Sequence, residues 1–229
     1  MKEIEIAVGA GGATSALIYP ARRPPDAATG ATLILAHGAG AGQRHPFMTA
    51  FSRGLSERGI DVVTFDFLYM HQRKRVPDRM PQLVACYRAV IDAANERLES
   101  ARRRLLIGGK SMGGRAATHV AAEDPALKLS GIVLLGYPLH PPGRPDKMRD
   151  AHLPSVKRPM LFVQGTRDTF GTPDELRPVL AKVSPAPTLQ VVQGGDHSFN
   201  VGGRNAVKQA ELYDGIQNLI VDWMRLMVG

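Results

Sequence analysis

The sequence predicts an α/β fold built on a mostly parallel eight-stranded sheet with helices on both faces. Three observations carry that expectation. Short β-rich runs alternate with helical patterns along the chain, several of those runs are apolar throughout, and no repeat or linker divides the 229 residues. Strands buried on both faces of a parallel sheet read as unbroken apolar runs. Strand–helix alternation implies right-handed βαβ crossovers, with helices covering both sides of the sheet.

The expected strands span 3–8, 14–19, 32–36, 61–66, 104–108, 131–136, 159–164 and 188–192. The first two are joined by only Gly9 to Ala13, which predicts an antiparallel edge hairpin. Residues 82–99 set Leu83, Val84, Tyr87, Val90, Ile91, Ala94 and Leu98 on one helical face, with Pro81 near the start, where proline is tolerated. Residues 204–227 place Val207, Ala210, Tyr213, Ile216, Ile220, Trp223 and Met227 at helical spacing. A proline- and charge-rich stretch, Tyr137 to Arg158, is too short for a lid domain and begins at a strand's C-terminal end, where sites of open α/β sheets lie.

Composition bounds the function. The length fits a single domain over 1–229, and 44% hydrophobic with 22% charged residues excludes intrinsic disorder. No apolar run approaches the roughly 20 residues of a membrane span, and the N-terminus lacks a signal peptide's apolar stretch. The expectation is a cytoplasmic protein with neither membrane nor nucleic acid among its partners. Cys86 is the one cysteine and lies on a helical pattern, which excludes an intrachain disulfide or a thiolate zinc cluster and points to a buried, inert thiol. Of 29 basic residues 21 are arginine, scattered along the chain; the densest cluster, Arg102-Arg103-Arg104, reads as a solvated face because no nucleic-acid motif accompanies it.

The chemistry centres on Gly109-Lys110-Ser111-Met112-Gly113, a G-x-S-x-G after one strand and before a helix starting near Met112. That context makes it a nucleophile elbow, a tight turn presenting Ser111 above the sheet with helix N–H groups beside it. An acyl-transfer serine needs a base and an orienting acid. Asp168 follows strand 159–164 and His197 follows strand 188–192, so both reach the same sheet edge in the order serine, acid, histidine. Asp196 is set aside because loop neighbours rarely orient each other's side chains. His140 and His152 precede the acid strand and break the order, and His119 belongs to the helix after the elbow. His37-Gly38-Ala39-Gly40 follows strand 32–36 and supplies an oxyanion hole from the Ala39 N–H together with the Met112 N–H, with His37 as a structural hydrogen-bonder.

The chain resembles the α/β-hydrolase superfamily, in particular its small lidless dienelactone-hydrolase-like and carboxylesterase members. The resemblance rests on His37-Gly-Ala-Gly40, Gly109-Lys-Ser-Met-Gly-Gly-Arg115, Gly136-Tyr-Pro-Leu-His140 with Lys147 and Arg149, and Asp196-His197-Ser198. It looks closest to a hydrolase-like family that includes a domain of a subunit of a chromatin-associated acetyltransferase (NSL) complex. Dienelactone hydrolases carry a cysteine nucleophile where this sequence has Ser111, so dienelactone activity is not implied. The resemblance implies a serine hydrolase acting on a small soluble ester or thioester, with no metal or organic cofactor. A serine peptidase and a non-catalytic interaction module on the same scaffold are the alternatives. Gly38, Gly40, Lys110, His140 and Arg149 are the expected substrate contacts, and Lys110 with Arg44, Arg149 and Arg73-Lys74-Arg75 suggests an anion-friendly rim.

Overall fold

The computed structural model describes residues 1–22, 30–202 and 206–227. In chain order they form β1 (Lys2–Ala7), β2 (Ala13–Tyr19), β3 (Thr32–Ala36), α1 (Pro46–Glu57), β4 (Asp61–Phe65) and α2 (Leu68–His71). There follow α3 (Met80–Arg97), α4 (Glu99–Arg103), β5 (Leu105–Lys110), α5 (Met112–Glu123) and β6 (Gly131–Leu135). The last elements are β7 (Met160–Gly165), α6 (Pro173–Leu180), β8 (Thr188–Val192) and α7 (Ala206–Leu226). The strands join in one sheet ordered β1-β2-β4-β3-β5-β6-β7-β8. The β1–β2 hairpin is antiparallel and attaches antiparallel to β4, and all other pairings are parallel. This is the expected sheet, with the hairpin at its edge.

The unbroken apolar strands are buried along their full length, and their residues divide between two cores by the period of two that a strand imposes. Ile34, Ile107 and Ile132 pack with Tyr87 and Val90 of α3 and with Ala117 and Val120 of α5. Their neighbours Leu33, Leu106 and Val133 pack on the opposite face against Phe51 and Leu55 of α1 and Ile220 and Trp223 of α7. Tyr87 also ties the sheet centre. Its hydroxyl lies 2.8 Å from Ile34 O and 2.7 Å from Gly108 O, and it accepts the Gly108 N–H at 3.0 Å.

Several details differ from the sequence reading or add to it. The helix expected over 82–99 begins at Met80 and stops at Leu98, whose extended backbone (φ −120°, ψ 120°) caps α3 and starts α4. Of the apolar face expected on 204–227, Ile216, Ile220 and Trp223 are buried, whereas Val207 and Met227 are exposed at the ends; residues 204 and 205 lie outside the described residues. α6 opens on a capping box, the Thr172 hydroxyl accepting from Glu175 N while the Glu175 carboxylate accepts the Thr172 N–H. Cys86 is buried as expected, and burial pushes its thiol up to about 12. The Tyr137–Arg158 stretch carries only a 3-10 turn at Leu153–Ser155, so no subdomain interrupts the sheet there. No helix among the described residues is long and apolar enough to cross a membrane.

Candidate active site

Ser111 stands between the last residue of β5 and the first of α5, at φ 52° and ψ −117°. A non-glycine side chain rarely occupies this region, and it persists only where the surroundings enforce it. Here Ser111 N donates to Leu135 O at 3.0 Å and Ser111 O accepts from Arg115 N at 3.1 Å. The flanking glycines are steric requirements: a Cβ on Gly113 would lie 2.4 Å from Ala36 O, and one on Gly109 would lie 2.6 Å from the same oxygen. The sheet and the helix approach each other backbone to backbone, and that closeness lifts the serine out of the turn.

The structure brings together the three residues that chain order singled out. His197 Nε2 lies 2.8 Å from Ser111 Oγ, and His197 Nδ1 lies 2.8 and 3.0 Å from the two Asp168 carboxylate oxygens. A carboxylate only accepts, so Nδ1 carries the proton and Nε2 is left free to accept from the serine hydroxyl. Asp168 is 1% exposed, and its oxygens also accept from Gln164 Nε2 at 2.8 Å and Phe170 N at 2.9 Å. The Phe170 ring stacks on the imidazole at 4.2 Å. Asp196 accepts from Ser198 N and Asn200 N within its own loop, so it staples the turn and leaves His197 to Asp168.

The loop after β3 is fixed by His37. Its Nε2 accepts the Phe67 N–H at 3.0 Å, so its Nδ1–H donates to Gly38 O at 2.7 Å. Burial lowers the pKa of this imidazole, which favours the neutral ring that such a pattern needs. Among the described residues neither the Ala39 nor the Met112 N–H donates to a backbone acceptor, and both residues line the cavity beside Ser111.

That cavity has a volume of about 690 Å³, and its apolar wall includes Phe47, Met48, Met80, Leu83 and Phe170. Of the residues expected to contact substrate, Gly38, Lys110 and Arg149 line it, and Gly40 and His140 do not. Gly40 supplies a turn at φ +78°. The His140 imidazole turns away, with Nδ1 2.9 Å from Pro141 O and Nε2 3.3 Å from Glu175 Oε1. Lys110 is 8% exposed, and its Nζ donates to the His197 carbonyl and sits near the rings of Phe47 and Phe199. Burial pulls the Lys110 pKa down to about 8, against the pull of Asp168 and Asp196. Arg44 pairs with Glu3 outside the cavity, and Arg73, Lys74 and Arg75 do not line it, so the expected cationic rim is not assembled from them.

Sequence reasoning missed Gln164, Phe170 and the Pro77–Leu83 wall, and met Arg115 only as part of a motif. Gln164 had a signal: a polar side chain at the end of a strand buried on both faces needs partners. Arg115 had one too, since it lies in the first turn of the helix that begins directly after Ser111. Among the described residues no group of three or more His, Cys, Asp or Glu side chains is arranged to hold a metal.

Comparison with known proteins gives the same architecture. A lidless α/β serine hydrolase from Xanthomonas campestris superposes with a TM-score of 0.73 at 21% identity, over 97% of this chain and 94% of that one. A dienelactone hydrolase from Anabaena variabilis gives 0.70 at 20% identity, over 93% and 94%. An esterase domain of a Rhodothermus marinus protein gives 0.68 at 16% identity, over 95% and 96%. The family model for an alpha/beta hydrolase domain matches residues 29–225, and with that match the chain belongs to the α/β-hydrolase family.

Proposed function

We propose that the protein is a serine hydrolase that cleaves a carboxylic ester or thioester of a small substrate through an acyl-serine intermediate. The observation that carries this reading is the continuous chain Ser111–His197–Asp168, with both links at 2.8 Å, opening into a cavity. Ser111 Oγ attacks the substrate carbonyl carbon as its proton passes to His197 Nε2. The Asp168 carboxylate holds the ring's tautomer and stabilises the imidazolium. The Met112 and Ala39 N–H groups receive the oxyanion, each such donor contributing about 2.7–4 kcal/mol to transition-state stabilisation. The imidazolium returns its proton to the leaving alkoxide or thiolate. Water, deprotonated by His197, then cleaves the acyl-serine and regenerates the hydroxyl. Every step uses groups of this chain and water.

The esterase among the structural neighbours supports the same reaction class. The cavity volume of about 690 Å³ suits a small organic substrate. Para-nitrophenyl acetate and butyrate test the reading. The wild type hydrolyses them well above the buffer rate, and Ser111→Ala falls to within a few-fold of it. Folded wild type that stays at the buffer rate on esters, thioesters and short peptides would sink the proposal.

A further inference from the structure

The cavity beside Ser111 is cationic in a way the hydrolysis mechanism does not use. Its wall carries Arg79, Lys110, Arg115 and Arg149 against a single carboxylate among the described residues, Asp78, which accepts the Tyr69 N–H. Lys110 is taken up by the His197 carbonyl. Arg115 and Arg149 are not taken up. Arginines elsewhere pair with carboxylates, Arg44 with Glu3 and Arg88 with Asp124 among them, but neither of these two does so among the described residues.

Their placement looks built. Arg115 sits in the first turn of α5, directly after Ser111, its N–H donates to Ser111 O at 3.1 Å, and both residues line the cavity. Its Nε is buried with no hydrogen-bond partner, whereas buried N–H donors in folded proteins are nearly always satisfied. Arg149 arrives from the crossover after β6 with its backbone tied at both ends. Its N–H donates to Leu139 O at 2.8 Å, and its carbonyl accepts from the Tyr137 hydroxyl at 2.7 Å. The backbone is anchored, and Arg149 lines the cavity. Burial lowers the Arg115 pKa, and the charge of Arg149 lowers it further against the opposing effect of Tyr137, so the two cations sense each other. Like charges held together and unpaired are costly unless an anion joins them.

We propose that Arg115 and Arg149 form an anion subsite, so that the ester cleaved at Ser111 carries a carboxylate or phosphate-type group. The planar forks of two guanidiniums suit either anion by paired hydrogen bonds. This rests on the hydrolase reading above and adds the substrate class. Of the cationic rim expected from the sequence (Lys110 with Arg44, Arg149 and Arg73-Lys74-Arg75), it keeps Arg149 and pairs it with Arg115 in the cavity wall.

Three para-nitrophenyl esters with the same leaving group test it: the butyrate, the hemisuccinate and the phosphonopropionate. The wild type is expected to show kcat/KM about tenfold or more higher on at least one anionic ester than on the butyrate, mainly through KM. Arg115→Gln and Arg149→Gln each bring that ratio down about tenfold, the effect of losing a hydrogen bond to a charged group. Which anionic ester leads identifies the anion. A wild-type ratio near one, or a ratio that survives in both variants, overturns the subsite; so does an equal collapse in Arg79→Gln, which would assign the preference to diffuse charge. If no ester is hydrolysed, the hydrolase reading fails separately. NMR of the arginine Nε–H groups then decides the subsite: succinate or methylphosphonate should shift the Arg115 and Arg149 signals, and signals unmoved by both overturn it.

Discussion

Gln164 Nε2 donates a hydrogen bond to Asp168 Oδ2 at 2.8 Å, and both side chains are buried. The same nitrogen reaches Gly171 O at 2.6 Å, and the Gln164 carbonyl oxygen accepts the Tyr137 N–H at 2.8 Å. One amide thus joins the acid of the proposed triad to its own turn and to the crossover that delivers Arg149.

Gln164→Glu replaces that donor with a second carboxylate beside Asp168. Like charges at this distance raise the carboxyl pKa values of the pair. The acid limb of the kcat/KM profile should move up by about one pH unit or more, and the melting temperature should fall. An acid limb that stays in place would show that Gln164 does not support Asp168.

The elbow glycines and the loop glycine should respond differently to one methyl group. A Cβ on Gly113 meets backbone oxygens at 2.4 and 2.6 Å, and no side chain can move to relieve it. Gly113→Ala should cost about 1–3 kcal/mol or more and abolish turnover. A Cβ on Gly38 meets the Ser111 Cβ at 3.4 Å, an ordinary contact, so Gly38→Ala should keep its stability within about 1 kcal/mol. Denaturant titration of both variants checks the contrast.

Tyr87→Phe removes the hydroxyl that bridges β3 and β5 directly below the elbow and leaves the buried Gly108 N–H without that acceptor. An unsatisfied buried donor costs about 1–3 kcal/mol. Urea unfolding should show a loss in that range, and an unchanged midpoint would mean the sheet centre closes the gap by other means.

Lys110 makes stability depend on pH. Its folded pKa of about 8 lies below the ordinary 10.5. Between those values the unfolded chain holds a proton that the folded protein has released, so stability rises with pH across the window and is least below it. Lys110→Met should flatten this rise, an effect of about 3 kcal/mol, in chemical denaturation at pH 7 and pH 10. A variant whose stability difference from wild type does not change with pH would contradict the buried ammonium.

Much of the site was legible because the fold ties chemistry to strand ends. Ser111, Asp168 and His197 each follow a recognisable apolar run, and parallel strands bring such positions to one edge whatever the side chains between them. The loop after β3, which brings Gly38 and Ala39 beside Ser111, follows a strand end in the same way. What escaped depends on side-chain direction, which strand periodicity does not fix. His140 sits in a proline-rich crossover where no period says which way a ring turns, and it faces Glu175. Lys110 read as a rim cation but folds back onto the His197 carbonyl. The break at Leu98 has neither proline nor glycine to announce it. The capping box at Thr172–Glu175 was a readable signal that went unused.

Labelling with a fluorophosphonate probe tests the central claim most directly, because it reports an activated serine without requiring the natural substrate. The wild type should label at Ser111, Ser111→Ala should not, and His197→Ala should label far more slowly. Wild type that is folded yet unlabelled, or label that persists in Ser111→Ala, would contradict a nucleophile activated by His197 and Asp168.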